Sequence, residues 1–543
     1  MKRALRLLSC AALVFVLVLS AFAQGGELRF CIKSDPKTFN PVAVADDASE
    51  TVRYLTGGVL VRVNRQTQQL EPELATSWKI TNAGKTITFT LRPNQYFSDG
   101  TPFTAEDVAF TVKQLTNPNL HSPTGDAFRS GTGDVTSKIL SGNKISITFP
   151  GAIAGLDRLF DQVAIMSARS PKKERAVLGP FFLADHKPGS YLYFRKNNNY
   201  WKKDAQGRKL PLLDAVRLDI QPNREIEVMR FRRGEIDLIN SLDSDFYAKL
   251  QQGSEAQVRD AGASLDSEQL WFNQVPGAPI ADYKKAWFKS QNFRRAVALS
   301  INRADLVRIV FGGHAQAAIG PTSPANKFWF NTKLKALPYD TQLALNLLKQ
   351  DGFQLQGGTL KDAQGRTVEF SIVTNSSSKP RERMATMIQQ DLSRIGIKVN
   401  VVTLDFPSMI ERITAKFNYE AAILGFINTE MDPNSQMTVW LSSGENHAWN
   451  PNQKSPATAW EAEMDKLMQA QTQSPDPKKR KAAWDRVQEI VYEQQPMIYL
   501  VNKNALSAVS SNLVNAAPVV LRPQTYWNID RLYLKSDADR SGK

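Results

Sequence analysis

The segment from residue 71 to residue 115 carries the most regular pattern in the chain. Apolar and polar residues alternate on both sides of residues 82–85, which contain a glycine, and this spacing predicts a β-hairpin. Asp99 and Gly100 supply a further turn. Thr104, three residues before Asp107, then predicts a capped helix with a buried stripe at Val108, Val112 and Leu115. The segment is therefore expected to fold as a hairpin, a turn and a helix that pack as one unit.

Later segments alternate helices and strands. A stripe of apolar residues from Met384 to Ile395 ends at Gly396 and is followed by an apolar strand, which is the order of an α/β crossover. Residues 421–424 read as another strand, and residues 460–470 and 477–494 as two helices. The fold class is therefore predicted as α/β. Because one core usually organises up to ~250 to 300 residues, 543 residues predict two or more compact units.

The chain starts with the pattern of an export signal. Three basic residues precede an apolar run at residues 7–19, and Ala21, Phe22 and Ala23 form an A-x-A cleavage pattern. We expect cleavage between Ala23 and Gln24, with lipid attachment at Cys10 as the less favoured alternative. After cleavage Cys31 is the only cysteine, so no intramolecular disulfide is expected.

The charge balance does not indicate a nucleic-acid partner. The whole chain has a formal net charge of +15, and loss of the leader would reduce it to +12. The lysines and arginines are scattered among acidic residues, which is typical of a solvated surface.

Catalytic motifs are absent from the sequence. The four histidines form no HExxH or comparable metal-ligand spacing, and there is no G-x-S-x-G motif. A carboxylate pair of the kind that hydrolyses glycosides has no sequence signature, so a secreted hydrolase stays open as a remote alternative.

Three motifs in the first patterned segment carry a family resemblance. They read A-x-S-W from Ala75, T-x-T-F-x-L-R from Thr86, and F-S-D-G-x-P-F-T-A-x-D-V from Phe97. A helix at residues 292–303 adds the pattern R-R-A-V-A-L-S-I-N-R. The chain resembles the family 5 extracellular solute-binding proteins, the oligopeptide, dipeptide and nickel-chelate receptors of ATP-binding-cassette (ABC) importers. The resemblance covers nearly the whole mature chain.

This resemblance implies a two-lobed periplasmic-binding-protein-like fold of type II, with an extra subdomain and a hinge of two crossing strands. Residues 24–47, 171–272 and 499–543 would form the discontinuous first lobe. Residues 48–170 would form its extra subdomain, and residues 273–498 the second lobe. The site would lie between the lobes.

The resemblance also implies candidate ligand-binding residues, which come from the loop after the first strand, a subdomain loop, the crossing strands and the loop after residue 425. They are Lys33, Asp35, Thr124, Trp271, Asn273, Phe426, Asn428, Thr429, Glu430, Asp432 and Tyr499. An ordinary turn aspartate is the alternative interpretation of Asp35, and a solvated turn that of Glu430 and Asp432. Peptide-binding members of the family carry an aspartate at the position of Thr429, where it pairs with the α-ammonium group of the peptide. A threonine hydroxyl cannot neutralise that charge, so either Glu430 replaces the aspartate or the ligand is not a free peptide amine.

The function implied by the resemblance is import. The chain would be a periplasmic monomer that captures a peptide or peptide-like solute without a cofactor or metal and delivers it to the permease subunits of an ABC transporter. The alternative is a receptor for a non-peptide solute: an oligosaccharide, an opine, or a nickel or haem chelate.

Overall fold

The computed structural model describes residues 25–120, 122–126, 128, 133–141, 143–170, 176–252, 256–426 and 431–535. These residues form a mixed α/β protein. Its strands are β1 (Glu27–Ile32), β2 (Val61–Val63), β3 (Leu70–Pro72), β4 (Ala75–Thr81), β5 (Thr86–Leu91), β6 (Thr136–Leu140), β7 (Lys144–Thr148), β8 (Phe181–Lys187), β9 (Tyr191–Lys196), β10 (Ala215–Ile220), β11 (Leu238–Ile239), β12 (Ala256–Phe272), β13 (Ala315–Ala317), β14 (Gln354–Gln356), β15 (Thr359–Lys361), β16 (Glu369–Asn375), β17 (Lys398–Leu404), β18 (Ala421–Phe426), β19 (Met497–Ser510), β20 (Leu513–Val514) and β21 (Tyr533–Leu534).

Its α-helices are α1 (Asp47–Thr56), α2 (Ala105–Leu115), α3 (Pro123–Asp126), α4 (Leu156–Leu159), α5 (Arg224–Arg232), α6 (Ser244–Gln251), α7 (Asp282–Lys289), α8 (Gln291–Ser300), α9 (Arg303–Asp305), α10 (Thr341–Gln350), α11 (Lys379–Ser393), α12 (Phe406–Thr414), α13 (Met437–Trp440), α14 (Ala459–Gln473) and α15 (Pro477–Gln494). A π-helical turn spans Leu306–Val310, and 3₁₀ turns span Asn82–Gly84, Pro118–Leu120, Phe160–Gln162, Pro433–Gln436 and Ile529–Arg531.

One eleven-stranded sheet runs through most of the molecule. Its strand order is β17, β16, β18, β12, β19, β11, β1, β10, β9 and β8, and β13 pairs with β19 beside this path. The strands β12 and β19 are antiparallel and much longer than their neighbours. One end of this pair joins β18 and the other end joins β11, so β12 and β19 connect two separate halves of the sheet.

The pairing between these two long strands is irregular in its middle. The register shifts between Asp260 and Ala263, between Ala263 and Ser267, and between Glu268 and Gln269. Such bulges bend a strand and increase its local twist. The irregular stretch therefore lies where the two halves of the sheet meet.

The hairpin unit predicted from residues 71–115 is confirmed. Strands β4 and β5 form its hairpin and belong to a four-stranded sheet with β7 and β6. Ile87 and Phe89 of β5 are fully buried. The backbone N–H of Thr104 donates to the Asp107 carboxylate at 2.7 Å, which completes the capping box at the start of α2. This unit belongs to a hydrophobic core that draws all its buried members from residues 42–178.

The half of the sheet around β16, β17 and β18 is covered on both faces. Leu270 and Phe272 of β12 face a core that also contains buried residues of α8 and α11. Trp271, between them, faces the opposite side, where α14 and α15 pack. The helices predicted at residues 460–470 and 477–494 are thus confirmed as α14 and α15. Asp476 caps α15 by accepting from the N–H groups of Lys478 and Lys479.

Candidate ligand-binding cleft

The parallel strands β16, β17 and β18 end at one edge of the sheet. Asn375 at the end of β16 pairs in register with Leu404 at the end of β17. The end of β18 at Phe426 pairs with Ser267 on β12. Ligands of open α/β sheets bind outside the carboxyl ends of the strands. This edge, where β12 also runs on into the other half of the molecule, is therefore the candidate cleft.

A buried ion pair lies at this edge. The guanidinium of Arg381, in the first turn of α11, contacts both carboxylate oxygens of Glu268 on β12, at 2.8 and 3.2 Å. Its Nη1 also donates to Oδ1 of Asn375 at 2.8 Å, and Lys503 on β19 contacts Glu268 at 3.2 Å. Burial would raise the pKa of Glu268, but Lys503 and Arg381 hold it below its ordinary value. The carboxylate is thus neutralised by this chain's own cations.

Gly425 on β18 leaves room for that ion pair. A Cβ at position 425 would lie 2.6 Å from Nη2 of Arg381 and 2.7 Å from the Glu268 carboxylate. The glycine is therefore required by close approach, and its backbone φ is not in the left-handed region.

A row of uncharged polar groups lies beside the ion pair, on the opposite face of the strands. Ser267 is in register with Phe426 on one side and Asn502 on the other, and Gln269 is in register with Tyr499. Registered neighbours in an antiparallel pair share a face. Tyr499 is 6% exposed, and burial raises the pKa of its phenol. Phe426 packs partly buried against the same core as Tyr499.

Asp432 is already paired. Its carboxylate accepts from Arg480 at 2.8 and 2.5 Å, and it caps the following 3₁₀ turn by accepting from the N–H of Asn434 at 3.0 Å. Arg480 also donates to Gln471 and lies 4.9 Å from the ring centre of Trp329. These contacts give Asp432 a structural role at the edge of the cleft.

Two other candidates lie within the interior. Trp271 is 2% exposed, and its indole N–H donates to the hydroxyl of Tyr419 at 3.1 Å. Asn273 is fully buried, and its amide donates to the carbonyls of Phe417 and Tyr419 at 2.8 and 2.9 Å. Both side chains therefore hold the core together rather than face the cleft.

Three candidate residues from the first part of the chain, Lys33, Asp35 and Thr124, lie apart from the polar row of Ser267, Gln269 and Asn502. Lys33 is exposed directly after β1. Asp35 contacts Nε2 of His186 at 3.0 Å and accepts from the N–H of Gly189 at 2.7 Å, and the His186 contact lowers the pKa of its carboxyl. Thr124 accepts from Arg53 at 3.1 Å, and Arg53 lines a small crevice that is open to solvent.

The candidates Asn428, Thr429 and Glu430, and the cleavage residues Ala23 and Gln24, lie outside the described residues. Among the residues that are described, no group of three or more His, Cys, Asp and Glu side chains could hold a metal ion. No helix in the described ranges has the length and apolar character needed to cross a bilayer.

Contacts join the two sides of the cleft. The Gln68 amide donates to the carbonyl of Ala325 at 2.6 Å, and the Asn434 amide donates to the carbonyl of Ala154 at 3.2 Å. Ser323 donates to the carbonyl of Ser264 on β12 at 2.5 Å. Gln68 and Ala154 are thus in direct contact with Ala325 and Asn434, which lie far away in the sequence.

Comparison with known proteins shows the family to which this architecture belongs. The model of "Bacterial extracellular solute-binding proteins, family 5 Middle" matches residues 69–448. The chain belongs to this family. Its membership agrees with the sequence motifs and with the long paired strands.

Relatives of this family 5 protein match along most of its length. The "Probable ABC transporter-binding protein" of Deinococcus radiodurans is 26% identical over 88% of this chain and 86% of its own length. The oligopeptide-binding protein AppA of Bacillus subtilis is 24% identical over 90% of this chain and 88% of its own length. Haem-binding protein A of Haemophilus influenzae is also 24% identical, over 89% of this chain and 88% of its own length.

Solved structures share the fold. The ABC transporter substrate-binding protein CtaP of Listeria monocytogenes superposes with a TM-score of 0.78 and 21% identity, covering 94% of this chain and all of that chain. The predicted fold class, an α/β protein of the periplasmic-binding-protein type, is confirmed.

Sequence reasoning missed four polar residues at this site: Gln269, Asn502, Glu268 and Arg381. Glu268 and Gln269 directly precede the apolar run Leu270–Phe272, and Asn502 directly follows the apolar run from Met497 to Val501, so the change from apolar to polar residues is the signal that could have found these three. Arg381 carries no such signal, because its position in the first turn of a helix is ordinary for a solvated side chain.

Proposed function

We propose that this chain captures a peptide or peptide-like solute between two lobes and delivers it to the permease of an ABC importer. The observation that carries the proposal is that β12 and β19 alone join the halves of the sheet among the described strands, in a chain of the family 5 solute-binding proteins. A joint of two strands permits hinge motion, and the carboxyl edge of β16, β17 and β18 forms one wall of the cleft.

The lobes are proposed with the boundaries inferred from the sequence. Residues 24–47, 171–272 and 499–543 form the first lobe, residues 48–170 its extra subdomain, and residues 273–498 the second lobe. The separate hydrophobic core within residues 42–178 supports the subdomain. Two cores whose buried members all lie between residues 270 and 501 support the second lobe.

Closure of the lobes is the proposed response to ligand. Contacts such as Gln68 to Ala325 and Asn434 to Ala154 can form only when the two sides meet. A ligand that touches both walls binds the closed state more tightly than the open state, so it shifts the population towards closure. The permease would then recognise the closed form. The chain is proposed to act in the periplasm as a monomer, and to bind its solute without converting it.

A peptide is the proposed ligand because several similar proteins carry peptide-binding names, including the Bacillus subtilis relative. An α-ammonium group in a closed cleft needs a carboxylate partner. Glu268 is paired with Arg381 and Lys503, and Asp432 is paired with Arg480. Glu430 is therefore the residue proposed to take the ammonium group.

The proposed function is tested by identifying the ligand that the protein carries and by measuring peptide binding. Native mass spectrometry of the exported, gently purified protein should show bound mass that fragments as peptide, and a chain that begins at Gln24. Isothermal titration with a pool of di- to pentapeptides should give binding that weakens in Glu430→Gln. A bound metal chelate or haem, with no response to peptides, would replace the peptide by the non-peptide alternative. Steady product formation from a carried ligand would overturn the binding function.

A further inference from the structure

Two buried amide side chains at the cleft edge each have an unsatisfied polar atom. Gln269 is fully buried, and no described group pairs with its Nε2, while its Oε1 accepts from the Ser267 hydroxyl at 3.1 Å. Asn502 is 1% exposed, and no described group pairs with its Oδ1, while its Nδ2 donates to the carbonyl of Asp266 at 3.3 Å. Unpaired buried polar atoms are rare in folded proteins and call for an explanation.

The two unsatisfied atoms lie on one face of adjacent strands. Ser267 is in register with Asn502, and Gln269, two residues further along β12, is in register with Tyr499. Ser267 also donates to Gln269 Oε1 at 3.1 Å, so Gln269 and Asn502 share the face of Ser267, although the register of β12 with β19 shifts between Glu268 and Gln269. The Asp266 carbonyl can only accept, so it fixes the orientation in which Asn502 presents an acceptor.

Their place in the sheet puts this pair at the cleft. The pairing of β12 with β18 ends at Ser267 and Phe426, so this row is the last of the second half of the sheet. The pairing of β12 with β19 is irregular within this row, between Glu268 and Gln269, and again beyond it, towards Ala263, where the two halves join. Phe426 and Tyr499 provide apolar walls on the same face.

No charged side chain belongs to this row of Ser267, Gln269 and Asn502. Glu268 is bound by Arg381 and Lys503 on the opposite face of β12. One unsatisfied donor and one unsatisfied acceptor then remain, which match the C=O and N–H that one residue of an extended peptide turns to the same side.

We propose that Gln269 and Asn502 form a subsite for the backbone of one ligand residue, in which Gln269 Nε2 donates to the carbonyl of that residue and Asn502 Oδ1 accepts from its N–H. This inference rests on the proposed function and specifies the chemistry of its ligand: an uncharged amide in an extended conformation.

The test compares Gln269→Met with Gln274→Met. Methionine keeps the approximate volume of glutamine and removes both polar atoms. Gln274 is the matched control, because it is a buried glutamine with an unpaired Nε2 that lies beyond the end of β12, away from the cleft edge. Neither substitution removes a partner from Nε2, so neither is expected to lower the melting temperature of the ligand-free protein through that atom.

The readout is isothermal titration of each variant with the pool of di- to pentapeptides, together with the ligand-free melting temperature. Gln269→Met should weaken binding roughly tenfold or more, since a ligand carbonyl would lose its donor, while Gln274→Met should bind as wild type does. Asn502→Leu should also weaken binding and supplies a second variant if Gln269→Met does not fold.

Two results would overturn the inference, and they have different consequences for the proposed function. If wild type binds the peptides and both cleft variants bind within about twofold of it, the amide subsite is rejected while the proposed function stands. If wild type binds no peptide at all, the peptide ligand of the proposed function is rejected and the subsite with it.

Discussion

Replacing Glu461 by glutamine should destabilise the second lobe strongly at neutral pH. The side chain is 2% exposed and accepts hydrogen bonds from four groups. His447, Trp449 and Gln453 contact its Oε1 at 3.2, 3.0 and 2.9 Å, and Thr458 donates to its Oε2 at 2.8 Å. Burial would raise the pKa of this carboxyl, but the four hydrogen bonds outweigh burial and lower it to about 2.

The size of the effect follows from that pKa. A carboxyl whose pKa falls from 4.5 in the unfolded chain to about 2 in the folded one contributes roughly 3 kcal/mol to the free energy of unfolding. Because the folded pKa is the lower one, this contribution is complete above about pH 4.5 and is lost as the pH falls towards about 2. Glutamine removes the negative charge that strengthens these four hydrogen bonds and sets an NH₂ where Oε2 accepts from the Thr458 hydroxyl, so Glu461→Gln should cost about 2 to 4 kcal/mol at pH 7.

The assay is urea unfolding followed by tryptophan fluorescence, at several pH values between 7 and 3. Glu463→Gln is the matched control, because Glu463 lies on the same helix but is 46% exposed, and its contact with Arg486 is an exposed pair. We expect this control to change the free energy of unfolding by at most ~1 kcal/mol. The difference between wild type and Glu461→Gln should shrink as the pH falls below about 4.5. A difference below about 1 kcal/mol at pH 7, or one that does not vary with pH, would refute the reasoning.

Two further substitutions test the packing around the cleft. Gly425→Ala places a Cβ within 2.7 Å of the buried ion pair and should lower the free energy of unfolding by about 1 to 3 kcal/mol, measured by urea titration. Gly277→Ala, which meets no atom within 4 Å, should leave it nearly unchanged, and equal effects of the two would contradict the close-approach argument. Arg480→Met should cost about 3 to 5 kcal/mol because it leaves the Asp432 carboxylate without its partner, and adding Asp432→Asn should recover part of that loss in thermal unfolding. A double variant no more stable than Arg480→Met would count against the pair.

Local patterns predicted the local structure well. The hairpin at β4 and β5 and the capped helix α2 are set by residues only a few positions apart, so alternation and the Thr104 and Asp107 pair were sufficient. The helices α14 and α15 were predicted for the same reason, with Asp476 and Pro477 marking where the second one begins.

The candidate site could be predicted only in part, because it depends on contacts between distant residues. Trp271 and Gln269 lie on the same face of β12, yet one packs in the core and the other reaches the edge of the sheet. The difference between them is how far each lies along β12 from Ser267, the residue that pairs with the end of β18. The sequence alone does not show where that pairing ends. Asn273 was predicted to face the ligand, but two carbonyls nearly 150 residues away take its amide. The partner of Glu268 on α11 is likewise more than 100 residues distant.

The central claim, that ligand closes two lobes about the β12 and β19 joint, is tested most directly by pulsed electron resonance between two spin labels. Thr81 and Lys478 are exposed and lie three residues from Gly84 and Pro475, where a Cβ at position 84 would lie 3.7 Å from Cβ of Pro475, and they are on opposite sides of the proposed cleft. The labels would be attached to Thr81→Cys and Lys478→Cys in a Cys31→Ser background, and the peptide pool or the ligand found by native mass spectrometry would be added. The account predicts a long, broad distance distribution without ligand that collapses to a short, narrow one at saturation. A distribution that stays the same while titration shows the ligand bound would contradict it.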